Sequence, residues 1–270
     1  MKISIVIPTL NEASNIKKLV KHLFKHGGSD LHQVIVSDAG SSDKTEQVAK
    51  EAGAIVVYSE VRGRAFQMNA GAKIATGDIL YFVHADAIPP TEFVLDIKKA
   101  ISQNKKAGCF RFRFDSNRKL LAANAYCTRF NGIFSGGGDQ SLFVEKKLFD
   151  ALGGFDENHV IMEDFDLVNR LRKAGHHLYI VPKEVTVSAR KYDNNNYMRV
   201  NLSNLLVFSL YKIGVKPAKL ARLYKKLIKP YNNQELELMN DVEVITRKEN
   251  QIDPVEQEID LYAVPNERYY

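Results

Sequence analysis

The 270-residue chain is 45% hydrophobic and 26% charged, which is typical of a soluble globular protein and long enough for one large domain with a well-filled core. Its formal net charge of +6 is uneven, because residues 232–270 carry ten acidic and three basic side chains, which leaves +13 on residues 1–231. The positive charge of residues 1–231 suits a polyanionic ligand. The longest nearly uncharged apolar stretch, residues 205–211, is too short to span a bilayer.

The first half of the chain alternates short runs of strand-forming residues with amphipathic stretches. The predicted strands are 3–7, 33–37, 55–58 and 79–83, and the predicted helices are 14–26, 43–51, 65–75 and 91–103. This βαβα order predicts an α/β fold with a mixed, mainly parallel sheet flanked by helices on both faces.

The second half changes character after residue 105. The predicted strands are 109–114, 178–181 and 185–188, the predicted helices are 146–152 and 165–174, and residues 135–139 form a glycine-rich loop. An apolar-rich helical region follows at 197–229. Residues 231–270 are acidic with a sparse apolar pattern, which predicts a loosely docked or disordered extension.

Polar side chains stand at the predicted carboxyl ends of the first two strands. Pro8 and Thr9 leave the first strand, Glu12 opens the following helix, and Asp38 comes directly after the second strand. Because the carboxyl ends of parallel strands meet at one edge of a sheet, we expect these side chains to border a ligand crevice. Helix capping alone would explain residues 41–43, but it does not explain Asp38.

The fully apolar run 79–83 ends abruptly in His84, Ala85 and Asp86. A carboxylate at the carboxyl end of such a strand faces the same crevice, where it can hold a divalent cation. His84 either faces the ligand or is a buried, hydrogen-bonded histidine at a strand end.

Two adjacent acids, Glu163 and Asp164, precede the helix predicted at 165–174. A carboxylate at a helix start can remove the proton from an attacking hydroxyl. Acids at a helix amino terminus also stabilise the helix by about 0.3–1 kcal/mol without any chemistry. Capping explains one acid, and the adjacent pair favours a function.

The glycine-rich loop ends in Gly138, Asp139 and Gln140. Glycine would let the backbone approach a sugar, and the two polar side chains can hydrogen-bond hydroxyl groups. A plain glycine-rich loop is the competing interpretation.

In order and spacing, a series of short strings covering roughly residues 1–230 resembles the family 2 glycosyltransferases of the GT-A fold. The strings are residues 8–12, 38–43, 62–64, 67–71, 84–86, 138–140, 153–155, 163–164 and 188–190. Three of them, 67–69, 84–86 and 188–190, are similar to the small soluble radical-SAM/selenodomain-associated glycosyltransferases.

The resemblance implies inverting transfer of a sugar from a nucleotide-diphosphate sugar to a hydroxyl acceptor, assisted by Mn²⁺ or Mg²⁺. It divides the chain into a nucleotide-binding half (about 1–105), an acceptor half (about 106–195) and carboxyl-terminal helices (about 197–229). A diphosphate leaving group accumulates negative charge, which such a cation neutralises.

The resemblance also implies a role for each matching residue. Asp164 is the general base and Asp86 the metal ligand. The donor-binding residues are Pro8, Thr9, Glu12, Asp38, Arg64, Asn69, His84, Ala85, Asp86 and Arg190, and the acceptor-side residues are Gly138, Asp139, Gln140 and Glu163. Asp38 would read the base and Arg190 would screen the diphosphate, although a surface ion pair is the alternative for Arg190. The usual metal motif has two acids separated by one residue, and His84 stands in place of the first.

Several expectations concern location and partners. Cys109 and Cys127 match neither a metal-site spacing nor a disulfide framework, and Met1 leads directly into a strand, so we expect a cytoplasmic protein. The region 197–229, apolar with basic flanks, either lies as a peripheral contact on the inner face of an anionic membrane or completes the core or a homodimer contact. The acidic extension would recruit a protein partner, fold back on the body or aid solubility.

Three other functions compete with transfer. A non-catalytic nucleotide-sugar sensor or scaffold would keep the fold and bind without turnover. A sugar-phosphate nucleotidylyltransferase usually has a glycine-rich loop and a basic residue after the first strand, where this chain has residues 9–12. Nucleic-acid binding rests on charge alone, since no aromatic and basic platform motif is present, and we expect no nucleic-acid partner.

Overall fold

The computed structural model describes residues 1–229, except for residues 128, 131, 133 and 134. The acidic extension predicted at 231–270 lies outside the described residues.

Within the described residues, eight strands form one mixed sheet in the order β3-β2-β1-β4-β7-β6-β8-β5. The strands are β1 (Ile3–Thr9), β2 (Leu31–Asp38), β3 (Ile55–Tyr58), β4 (Ile79–Phe82), β5 (Ala87–Ile88), β6 (Ala107–Phe114), β7 (Leu142–Glu145) and β8 (Tyr179–Val187). Strands β3, β2, β1 and β4 are parallel neighbours, as are β6 and β8, whereas β7 runs antiparallel between β4 and β6. The predicted mainly parallel α/β fold is confirmed.

Helices cover both faces of this sheet. They are α1 (Ala13–Gly27), α2 (Thr45–Glu51), α3 (Arg64–Ile74), α4 (Phe93–Ser102), α5 (Lys119–Cys127), α6 (Lys146–Ala151), α7 (Glu163–Lys173), α8 (Tyr197–Lys212) and α9 (Pro217–Leu227). The helix predicted from residue 43 begins at Thr45 instead, because the Asp43 carboxylate accepts a hydrogen bond from the Thr45 amide (2.9 Å) and so lies ahead of the first turn. Strands β5 and β7 and helix α5 were not predicted.

The two strands predicted at 178–181 and 185–188 are one strand, β8. Pro182 lies between the two predicted strands, and proline cannot donate to a strand ladder. The register with β6 shifts there, since Phe110 pairs with Val181 and Arg111 pairs with Glu184. A local bulge therefore takes up the proline and the strand continues.

Alternation along the strands builds a core on each face. On one face, Ile3, Ile5 and Ile7 of β1 pack with α1 and α4. On the other face, Val6 packs with Met68 of α3 and with residues of α6 and α7. Both faces of the central strands are covered, which accounts for their continuous apolar runs.

The order of the parallel strands fixes where a ligand can bind. From β1 the chain moves outward to β2 and β3 and then returns to the other side of β1 as β4. In open α/β sheets the ligand crevice lies at the carboxyl ends of the strands where the order reverses. Here that point is between Thr9, at the end of β1, and His84, just after β4.

Candidate functional site

A cavity of about 150 Å³ opens at this reversal of strand order. The loop after β1 contributes Pro8, Thr9 and Glu12, and the turn after β4 contributes His84, Ala85 and Asp86. Arg64, Asp139 and Arg190 also line it. The structure therefore brings most of the predicted donor-binding residues together.

Arg190 joins two carboxylates that are far apart in sequence. Its Nη2 atom lies 2.7 Å from Glu12 Oε1 and 3.1 Å from Asp86 Oδ2. Because the carboxylates converge on one cationic nitrogen atom, this position suits a cation with oxygen ligands. Asp86 is 27% exposed, which leaves its carboxylate accessible from the cavity.

A second cavity, of about 440 Å³, adjoins the first. The linings of the two cavities share Arg64, His84, Asp139, Lys191 and Asn204. The predicted acceptor-side residues Gly138, Gln140 and Glu163 and the predicted base Asp164 line the second cavity.

Asp164 lies in the first turn of α7 and is only 7% exposed. Burial raises the pKa of its carboxyl well above the ordinary value, and the adjacent Glu163 carboxylate raises it further. The positive charge of Arg64 and a hydrogen bond from the Gly138 amide oppose this shift. A carboxylate with a raised pKa is a stronger base, which suits proton removal from a hydroxyl.

His84 borders both cavities. Burial lowers the pKa of its imidazole, and the nearby Arg64 guanidinium lowers it further, against the raising effect of Asp86, Asp139 and Glu163. A lowered pKa favours the neutral form of the ring.

Gly138 separates His84 from Asp164. A Cβ atom at this position would lie 2.4 Å from His84 Cε1 and 2.7 Å from Asp164 Oδ2. The two side chains thus pack against the same stretch of backbone, which a larger residue would push apart. This supports the expectation that a glycine here permits close approach.

Arg64 stands at the start of α3 beside the buried acids. Its Nη1 atom lies 3.9 Å from Glu163 Oε1, although the arginine side chain is more than half exposed. Since Arg64 lines both cavities, its charge acts on His84 and Asp164 and also faces the donor side.

Residue Met162, which precedes α7, has a left-handed backbone conformation with φ of 66°. Asn11 and Ser141, in two other loops of the site region, also have positive φ, of 54° and 46°. Such conformations are uncommon outside glycine and cluster where a side chain must be presented in a particular direction. At Met162 the turn directs Glu163 and Asp164 into the second cavity.

Asp38 is at the end of β2 as predicted, but its carboxylate is directed into its own loop. Oδ1 accepts hydrogen bonds from the hydroxyls of Thr9 (2.9 Å) and Ser41, and Oδ2 accepts from the amides of Gly40 (3.0 Å) and Ser41 (2.8 Å). Asp38 is 4% exposed and lies outside the linings of both cavities. In this structure it holds the loop that borders the site.

Two more predicted residues have structural contacts. Asn69 clamps the turn after α6, because its Oδ1 accepts from the Phe155 amide (2.9 Å) and its Nδ2 donates to the Phe155 carbonyl oxygen (2.9 Å). It lies outside both cavity linings. Gln140 lines the second cavity, but its Oε1 accepts from the Gly136 amide (2.6 Å) and its Nε2 donates to the Phe110 carbonyl oxygen (3.3 Å).

Gln67, for which the sequence predicted no role, bridges the carboxyl ends of β1 and β2 by hydrogen bonds. Its Nε2 donates to the carbonyl oxygens of Thr9 (2.6 Å) and Ser37 (3.1 Å). It is 2% exposed and also borders the first cavity. A glutamine in the middle of an otherwise apolar helix face was the available signal.

Helix α8 forms a wall of the second cavity that the sequence did not predict. Asn201, Asn204, Leu205 and Phe208 belong to this wall, and Tyr224 of α9 stands beside it. The amides spaced three residues apart in an apolar helix were the only sequence signal.

A separate cluster, Asp156, His159 and Asp166, has donor atoms within 4.8 Å of one another. Its carboxylates already have protein partners: Asp156 Oδ2 lies 3.0 Å from His159 Nδ1, and Asp166 Oδ2 lies 2.7 Å from Arg170 Nε. These ion pairs explain the cluster as a support for the turn before α7.

Comparison with known proteins agrees with this geometry. The model of the glycosyl transferase family 2 matches residues 4–144, slightly more than half of the chain. The chain belongs to this family. The match ends within β7, so it includes Glu12, Arg64 and Asp86 and stops short of Asp164 and Arg190.

Two curated relatives indicate the range of the family. A dolichyl N-acetyl-alpha-D-glucosaminyl phosphate 3-beta-D-2,3-diacetamido-2,3-dideoxy-beta-D-glucuronosyltransferase of Methanococcus voltae is 26% identical over 212 residues, which is 68% of this chain and 65% of the relative. A glucosyl-3-phosphoglycerate synthase of Mycolicibacterium smegmatis is 34% identical over 96 residues, 33% of this chain and 32% of the relative. The chain thus spans less than two thirds of the length of either relative.

Among solved structures, the glucosyl-3-phosphoglycerate synthase of Mycobacterium tuberculosis, in complex with Mn²⁺, UDP-glucose and phosphoglyceric acid, superposes with a TM-score of 0.60. The two proteins are 20% identical, and the superposition covers 79% of this chain and 80% of that one. TarS of S. aureus gives a TM-score of 0.57 at 16% identity, over 84% of this chain and 43% of TarS. These similarities establish the family 2 fold for this chain.

Proposed function

We propose that the protein transfers a sugar from a nucleotide-diphosphate sugar to a hydroxyl acceptor. The observation that carries this proposal is the junction of the two cavities, because the donor-side Asp86 and the buried base Asp164 line adjoining spaces separated by His84 and Gly138. A donor in the first cavity and an acceptor in the second would meet at this junction. Membership of the family and the transferase activities of the relatives support the same assignment.

The donor diphosphate would bind in the first cavity. Arg190 and Arg64 supply positive charge there, and the fork of the Arg190 guanidinium suits two phosphate oxygens. Asp86 would hold Mn²⁺ or Mg²⁺, with Glu12 close by, since one or two carboxylates together with substrate phosphates are a usual ligand set for these ions. When bound, such a cation neutralises the charge that develops on the leaving diphosphate.

The acceptor would bind in the second cavity with its hydroxyl toward Asp164. The carboxylate would take the hydroxyl proton as the oxygen attacks the anomeric carbon. Direct attack from the side opposite the diphosphate gives inversion at that carbon. Asp139 and Lys191, which border both cavities, are placed to bind hydroxyl or phosphate groups of either substrate.

Substitution of the base tests the proposal. Asp164→Asn keeps the size of the side chain and removes its basicity, so transfer should fall by about 10²–10⁴-fold, whereas binding of the nucleotide should be retained. The activity is followed as release of UDP, GDP or dTDP from a panel of nucleotide sugars with Mn²⁺, and Asp193→Asn, on the surface, is the control. Wild-type transfer by Asp164→Asn at saturating substrates would contradict the assignment.

The same assay separates the alternatives. Binding of a nucleotide sugar without turnover over a broad panel of acceptors would indicate a sensor, and pyrophosphate release from a nucleoside triphosphate and a sugar phosphate would indicate a nucleotidylyltransferase. Five expectations from the sequence stay predictions. They are the base-reading role of Asp38, the domain boundaries, a homodimer, a protein partner for residues 231–270 and the peripheral membrane contact of residues 197–229.

A further inference from the structure

Helix α8 is apolar on two sides, only one of which is covered. Its buried residues are Val200, Ser203, Val207 and Phe208. On another side, four large apolar side chains are each 45–59% exposed: Met198, Leu202, Leu205 and Leu206. Their spacing of four, three and one residues places them along one stripe, which Ile213 extends beyond the helix end. A contiguous exposed apolar stripe marks an interaction surface.

The helical hairpin that carries this stripe is strongly basic. Residues 197–229 contain eight lysines and arginines and no acidic residue. Lys216, Lys219 and Lys226 are exposed and lie along one side of α9. The two helices pack antiparallel, since Arg199 Nε donates to the Leu227 carbonyl oxygen and the Tyr224 hydroxyl donates to Asn204 Oδ1 (3.0 Å). The stripe and the positive charges thus belong to one helical hairpin.

We propose that the α8–α9 hairpin docks on an anionic lipid surface. The apolar stripe of α8 enters the boundary between headgroups and acyl chains, and the lysines of α9 contact the anionic headgroups. Within the described part of the chain, no helix combines the length and apolar character that crossing a bilayer requires, so the contact is a peripheral one.

Net charge distinguishes an anionic lipid surface from a second copy of this chain. A second copy of the hairpin would bring two surfaces of like charge together without a compensating acid in either. Residues 232–270 of the same chain have the complementary charge, and vesicle binding by the full chain, which contains them, distinguishes the lipid surface from this occupant. An anionic lipid surface matches both the stripe and the charge.

The position of the stripe agrees with its proposed use. Leu205 belongs to the stripe and also lines the second cavity, and Asn201, Asn204 and Phe208 of the same helix lie in that lining. The docked face therefore adjoins the cavity in which the acceptor would bind.

Sedimentation with lipid vesicles tests the docking surface in the full chain. We expect binding to vesicles of equimolar phosphatidylcholine and phosphatidylglycerol, none to phosphatidylcholine alone, and weaker binding as salt screens the charges. Leu202→Ser with Leu206→Ser should lower partitioning by about tenfold or more, whereas Leu95→Ser, at a 64% exposed leucine of α4, should not change it.

The charge contribution has its own matched pair of variants. Lys216→Glu, Lys219→Glu and Lys226→Glu together should abolish binding, whereas Lys17→Glu, Lys18→Glu and Lys21→Glu on α1 make the same change in net charge and should leave most of it. Equal effects of the two triple variants, or wild-type binding by the leucine variant, would overturn the proposal. So would a dimer that the leucine variant dissociates without any vesicle binding. Thermal stabilisation by nucleotide with Mn²⁺, measured on every variant, separates failure of docking from failure of the proposed transfer.

Discussion

The Nη2 atom of Arg190 lies 3.1 Å from Oδ2 of Asp86, so the proposed metal ligand forms an ion pair with the proposed diphosphate-binding arginine. The same nitrogen atom lies 2.7 Å from Glu12 Oε1. In this arrangement the arginine neutralises the carboxylates, and a cation held by Asp86 would compete with the guanidinium for that carboxylate.

Removal of this arginine should therefore have opposite effects on metal binding and on transfer. Arg190→Gln should bind Mn²⁺ more tightly than the wild type in the absence of nucleotide, because Asp86 and Glu12 lose a competing positive charge. Transfer should fall by about 10–10²-fold, since the leaving diphosphate loses its screening. Titration of Mn²⁺ by electron paramagnetic resonance and steady-state kinetics measure the two effects. Arg113→Gln, in the exposed part of β6, is the control, and weaker metal binding by Arg190→Gln would contradict the argument.

Neutralisation of Asp164 should stabilise the fold while it removes activity. The folded-state pKa of Asp164 is raised, so its carboxyl stabilises the protein when protonated, and that contribution is lost as the pH rises through the folded-state value. At pH 8, Asp164→Asn should gain about 1–3 kcal/mol, which is about 2–4 °C in Tm for each kcal/mol.

The gain in stability of Asp164→Asn over the wild type should shrink as the pH falls toward about 4, because the Asp164 carboxyl is then protonated and is uncharged like the asparagine. Thermal denaturation across this pH range is the measurement, with Asp193→Asn as the surface control. A Tm difference that does not depend on pH would show that Asp164 is not a buried titrating group.

Glu163, the neighbour of Asp164, should affect the pH below which transfer activity is lost. In the wild type, the acidic limb of kcat/KM should lie above the ordinary aspartate value of about 4, because burial and Glu163 raise the pKa of Asp164. Glu163→Gln removes the neighbouring negative charge, so the pKa of Asp164 falls and the limb should move to lower pH. Glu184→Gln, in a surface ion pair with Arg129, should leave the profile unchanged. A limb that moves to higher pH in Glu163→Gln would exclude Asp164 as the titrating base.

A single methyl group at Gly138 should disturb the reaction geometry. The added Cβ would lie within 3 Å of both His84 and Asp164, so one of them must shift. A displacement of about 1 Å at a reacting centre costs about 10²-fold in rate, and Gly138→Ala should show a loss of this order in kcat with nucleotide binding retained. Gly132→Ala is the matched control because its Cβ meets open space. Equal kcat values for the two variants would show that His84 and Asp164 have room to move.

Much of the donor side could be predicted because it depends on local pattern and strand order. A strand that ends in His84 and Asp86 and a loop that begins with Thr9 come together in any sheet that reverses at this point. The direction in which each side chain points could not be predicted in the same way. Asp38 lies at the expected strand end, but the amides of Gly40 and Ser41 satisfy its carboxylate within the loop, and Asn69 is bound to Phe155 across 86 residues of chain.

The sequence alone determined the order of strands and helices as far as β4, the edge of the sheet where the polar residues gather, and the acid pair at the start of α7. These features follow from periodicities of two and 3.6 residues and from chain chirality, which act over short stretches. Only the tertiary structure decided that α8 forms a wall of the second cavity and leaves a stripe of apolar side chains exposed, that Arg190 links Glu12 to Asp86, and that Asp164 is buried. Those relationships depend on contacts between residues up to 178 positions apart, and packing between distant segments, unlike local periodicity, leaves no regular pattern in the sequence.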